Sequence, residues 1–83
     1  METNTAFRPL HRIAAEIRSD WKKVNFAAKP YLDAMFSLDS VRDYYMLDSG
    51  SNIVRYFLCN SGTWKGETAR RVKAELKKVV GLK

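Results

Sequence analysis

The chain is poor in the residues that carry most enzyme chemistry. Its 83 residues include one cysteine, Cys59, and one histidine, His11. A single cysteine excludes an internal disulfide and fits a reducing compartment. His11 and Cys59 show no metal-ligand spacing with each other or with carboxylates. As a nucleophilic pair they would have to meet across the fold. His11 lies off the apolar face of its helix, and Cys59 sits in an apolar stretch as a small hydrophobe. Glycine is scarce too, and Gly62 and Gly66 lack the rest of any phosphate-cradling loop pattern. No apolar run is long enough to span a membrane. The opening Met-Glu-Thr-Asn-Thr lacks the basic-then-apolar order of a signal peptide. The expectation is a cytoplasmic, non-enzymatic protein without cofactor, metal or membrane partner. Acids are the remaining shortage: nine Asp and Glu stand against fifteen Lys and Arg, for a net charge of +6.

What is present is helical periodicity. Hydrophobic residues make up 46 % of the chain, enough for one small core and too few residues for two. Met1–Phe7 reads as a flexible arm and residues 8–83 as a single helical domain. Pro9 opens a helix whose Leu10, Ile13, Ala14, Ile17, Trp21 and Val24 fall on one face. Asn25–Lys29 breaks that period, and Pro30 starts a short helix to about Ser37. Ser37 or Asp39 caps another, with Val41, Tyr44, Tyr45 and Leu47 on its apolar side. Asp48–Ser51 is a turn cluster, and Asn52–Asn60 forms the most buried helix. Gly62 serves as a left-handed stop, Thr63 caps the last helix, and Gly81 ends it. No alternating strand pattern and no Asn-Gly or Asp-Gly hairpin signal occurs. The expected fold is all-α, a compact bundle of about five helices, two longer terminal ones with three shorter ones between.

The charge is unevenly placed. Residues 1–30 carry a net +3, residues 31–60 a net −2 and residues 61–83 a net +5. Such a pattern suits a polyanion site built from both ends of the chain. On the last helix Ala69, Val72, Leu76, Val79 and Val80 form the core stripe. Arg70, Lys73 and Lys77 form a second stripe with no acid at pairing distance. Arg71 and Lys78 have Glu67 and Glu75 three or four positions away, and on the first helix Arg12 and Lys23 have Glu16 and Asp20. Arg18 and Lys22 have none. The candidate binding residues are therefore Arg18, Lys22, Lys65, Arg70, Lys73 and Lys77, expected to gather on one side of the molecule. Trp64 either staples the preceding turn to the core or stands exposed as an aromatic anchor beside them.

The Leu38-Asp39-Ser40 segment and the run from Gly66 to Leu76 resemble small uncharacterised proteins of phages and mobile elements in Gram-positive bacteria, over roughly Ile13–Leu76. The resemblance implies a stoichiometric binder of host machinery, including inhibitors of CRISPR effectors and other defence systems. The expected function is accordingly a non-enzymatic protein acting on a host protein, a nucleoprotein complex or nucleic acid directly. Two alternatives stand beside it. One is a small DNA-binding regulator in which Asn52–Asn60 and the last helix form a helix-turn-helix-like unit. The other is a structural or oligomerisation module whose charge serves solubility.

Overall fold

A computed structural model describes residues 8–81, so the expected arm at residues 1–7 lies outside the described residues. Its elements are α1 (Leu10–Asp20), α2 (Lys29–Met35), β1 (Tyr44–Tyr45), β2 (Asp48–Ser49), α3 (Gly50–Cys59) and α4 (Glu67–Val79). The described residues are mostly helical, but with four helices where five were expected and with a two-stranded antiparallel ribbon.

The apolar stripes read from the sequence form the core. Leu10, Ile13, Ala14, Ile17 and Trp21 from the first helix meet Leu32 and Met35, Ile53, Val54 and Phe57, and Ala69, Val72 and Leu76. Helix α2 packs chiefly on α3, α1 lies against α2 and α4, and α4 also touches α3. Trp21 and Trp64 stack with ring centroids 5.8 Å apart and planes 11° apart, and Phe57 meets both edge-on. Stacked and edge-on pairs add to the area these large rings bury, which matters in so small a core.

The missing helix was expected over 39–47. There the short polar side chains bond to nearby backbone and outcompete helical hydrogen bonds. Asp43 Oδ2 accepts from the Asp39 and Ser40 amides at 2.9 and 3.1 Å, and Ser40 Oγ accepts from the Arg42 amide at 3.1 Å. The carbonyls of Leu38 and Asp39 take the His11 and Leu10 amides, supplying partners to the first turn of α1, which has no side-chain cap. The loop also lies over the start of α3. A Cβ on Gly50 would stand 2.7 Å from the Ser40 carbonyl oxygen, so only glycine allows that approach. After the loop, Tyr44 pairs with Ser49 and Tyr45 with Asp48, leaving Met46-Leu47 as a two-residue hairpin tip.

Two boundaries also move. Helix α1 ends at Asp20, not Val24, because Trp21 turns extended to enter the aromatic stack. Helix α4 starts at Glu67, with Gly66 and not Thr63 at its N-cap. The left-handed glycine of this connection is Gly66, at φ 111°, and not Gly62. Ser49 caps α3, its Oγ accepting from the Asn52 amide at 3.2 Å.

Candidate polyanion interface

Helices α1 and α4 meet along a seam of opposite charges. Arg8 donates to Glu75 through Nε and Nη2, at 3.0 and 2.7 Å, and to Glu16 at 2.8 Å, while Arg71 donates to the other oxygen of Glu16. The two guanidinium groups hold the Glu16 carboxyl below its ordinary value, Arg71 contributing most. At the far end of the seam, the Trp64 indole N–H donates to Asp20 at 2.8 Å. Early α1 thus faces late α4, and the helices run antiparallel.

This seam corrects the pairing expected within each helix. Glu16, Asp20 and Glu75 serve partners on other elements. Among the described residues Arg12, Lys23 and Lys78 form no ion pair, although each was expected to have a neutralising neighbour. Arg71 is neutralised as expected, but by Glu16 and not by Glu67 or Glu75. Spacing along one helix cannot reveal an acid used across a helix pair.

The candidate site residues separate into distinct environments. Arg18 is not an unpaired cation: it donates to Asp33 on α2 at 2.7 Å and lies over the Phe36 ring, 5.3 Å from its centroid. Lys73 is half-buried, its Nζ donating to the Ser61 and Trp64 carbonyls at 2.7 and 2.6 Å. Burial, then the charges of Lys65 and Lys77, pull its pKa below the ordinary lysine value. Lys73 ties the α3–α4 connection to α4 and is a structural residue. Trp64 is 2 % exposed, so it is a core staple and no exposed anchor. Lys22, Lys65, Arg70 and Lys77 are exposed and, among the described residues, ion-pair with no carboxylate.

The two basic stripes do not merge along their length. Arg18 marks the flank of α1 that faces α2, and Lys73 marks the flank of α4 that faces the end of α3. The charged seam lies between them. The Trp21–Trp64 stack links the end of the first stripe to the start of the second. Trp21 stacks on Trp64, Lys22 and Lys23 follow the first ring in the chain, and Lys65 follows the second. Two shallow grooves carry cations of these stripes. One, of about 350 Å³, is lined by Trp64, Lys65, Gly66, Arg70 and Lys73. The other, of about 290 Å³, is lined by Arg18, Lys22, Lys23 and Lys29. Lys29 lies 3.5 Å from Asp33, which it shares with Arg18. Lys77 stands ten residues beyond Glu67, about 15 Å along α4, and is remote from this end.

The sequence reading missed Lys23 and Lys29. Lys23 looked neutralised, and Lys29 fell in a break between helices. The resulting set, Lys22, Lys23, Lys29, Lys65 and Arg70, offers exposed point charges and one guanidinium, with Lys29 sharing Asp33 with Arg18. Such groups bind phosphate oxygens. The remaining chemistry is sparse. His11 Nε2 lies 3.1 Å from Asp39 Oδ1, away from the grooves, and Cys59 is exposed at the end of α3, not packed as a small hydrophobe. Among the described residues no group of three metal-ligating side chains occurs, and no helix is long and apolar enough to cross a membrane.

No protein family, curated protein or solved structure matches the chain.

Proposed function

We propose that this protein is a non-enzymatic binder whose basic pole docks on the phosphate backbone of a nucleoprotein complex. The observation that supports this reading is the stack of Trp21 on Trp64, which brings the chain at Lys22 and Lys23 close to the chain at Lys65, with one basic groove lined by Lys22, Lys23 and Lys29 and another by Lys65 and Arg70. The aromatic stack fixes the two helix ends relative to each other, so the backbone that carries the cations is set before binding. The resemblance to small phage and mobile-element products supplies a setting, stoichiometric interference with a host defence complex in the cytoplasm.

The helix-turn-helix alternative is weaker on geometry. The connection from Asn60 to Gly66 is about twice the three- or four-residue turn of that motif. Arg71, in the first half of the helix that would enter the major groove, is held by Glu16. Contacts from the pole to phosphates need no recognition helix and tolerate any sequence.

Two triple charge reversals of equal net change test the reading. Lys22→Glu, Lys65→Glu and Arg70→Glu together should weaken binding to a labelled duplex, or to a captured nucleoprotein, at least about a hundredfold. Arg12→Glu, Lys77→Glu and Lys78→Glu, away from the pole, should weaken it far less. Equal losses from both triples would mean that overall charge, and not the pole, drives binding.

A further inference from the structure

The β-hairpin presents an apolar surface that the proposed function does not use. Tyr44 is 70 % exposed, Met46 83 % and Leu47 95 %. Tyr45 and Met46 continue into a groove shared with Tyr31, whose ring stands 5.3 Å from that of half-exposed Tyr56. Met46 takes a φ of 58° at the first tip position, where such a turn calls for glycine. A methionine kept in that conformation, beside a fully exposed leucine, is a cost to the isolated chain in both strain and solubility. Met and Tyr are also the side chains that protein interfaces favour.

We infer that this tip is the surface through which two copies of the chain associate about a twofold axis. Three observations select a second copy as the occupant. First, at about 200 Å² per large side chain the exposed parts of Tyr44, Tyr45, Met46, Leu47 and Tyr56 amount to roughly 600 Å². Two such patches approach the low end of specific interfaces, about 1,200 Å² in total. Second, the patch holds both halves of a contact. Leu47 projects from one copy, and the groove beside Tyr31 and Tyr45 is the place in the other copy that would receive it. Third, the chain carries +6 overall, yet the exposed Arg42 and Asp48 that flank the hairpin carry opposite charges. Two copies repel each other elsewhere and meet here with charges that can pair. The arrangement does not rest on the polyanion reading; its groove begins at Pro30, next to Lys29.

Sedimentation velocity of the full chain without nucleic acid, from about 1 to 300 μM, tests it. The mass is expected to rise from 9.6 kDa towards twice that value with concentration. The double variant Met46→Gly, Leu47→Asn should stay at one chain, its dissociation constant raised at least about thirtyfold. Met46→Gly removes the positive-φ penalty, so circular dichroism should show an intact fold and loss of association cannot be ascribed to unfolding. A wild-type chain that remains monomeric throughout overturns the inference, including the case in which the tip instead captures a different protein. A folded double variant that dimerises as tightly as the wild type overturns it as well.

Discussion

Replacing Lys73 by methionine tests whether this residue is a structural tie or part of the binding surface. The substitution keeps most of the aliphatic stem and removes the ammonium that bonds to the Ser61 and Trp64 carbonyls. The two carbonyls are not equally affected. Ser61 O also accepts from the Trp64 amide at 3.0 Å, whereas Lys73 is the partner of Trp64 O. Losing a charged donor costs about 1.5–3 kcal/mol, and the contact of Nζ with the Trp64 ring, 5.8 Å from its centroid, adds a fraction more. Against this, the partial burial that lowers the Lys73 pKa is relieved in the variant. The net expectation is a loss of about 1.5 kcal/mol, which in a domain of this size lowers Tm by roughly 6–12 °C. Lys77→Met, one turn further and without a bonded partner among the described residues, should stay within about 0.5 kcal/mol of the wild type. Thermal unfolding followed by circular dichroism reads both. Equal melting temperatures for the two variants would refute the assignment. So would a Lys73 variant of full stability whose nucleic-acid binding fell as far as that of Lys22→Glu.

Two further outcomes follow from the same geometry. Gly66→Ala should cost about 1–3 kcal/mol in a urea titration because its φ of 111° suits glycine alone, while Gly62→Ala should be nearly neutral, with nothing within 4 Å of the added methyl. Because Arg71 and Arg8 hold Glu16 below its ordinary 4.5, the stability it contributes is complete above that pH and is lost as pH falls through the lower folded value. The urea midpoint of the wild type should therefore drop as pH falls below about 4.5, and that of Glu16→Gln should drop less steeply; parallel limbs would remove the charged seam from the account.

Much of the helical scaffold was legible because one period repeats cleanly. Leu10, Ile13, Ala14, Ile17 and Trp21, and likewise Ala69, Val72, Leu76 and Val80, are all buried as their spacing requires. The region 39–47 was not legible, because whether Asp43 and Ser40 bond within the loop or cap a helix depends on where α1 and α3 offer them room. The hairpin carried no warning either, since its tip uses Met46 where an Asn-Gly or Gly signal would mark the turn. At the site, the basic residues were visible but their partners were not. Arg18 found its acid on α2, Lys73 found two carbonyls, and Lys23 lost the acids expected to neutralise it to Arg8, Arg71 and Trp64. Interactions between elements decide which cations remain free, and only the packed helices specify them.

The central claim concerns phosphate contact by the cations around the Trp21–Trp64 stack, and its most direct test is the salt dependence of binding to a labelled duplex by fluorescence anisotropy. With Lys22, Lys23, Lys29, Lys65 and Arg70 neutralising four or five phosphates, the logarithm of affinity should fall with the logarithm of salt at a slope of about −4, roughly two hundredfold between 50 and 200 mM. A slope shallower than about −1, or no binding at 50 mM salt, would contradict it.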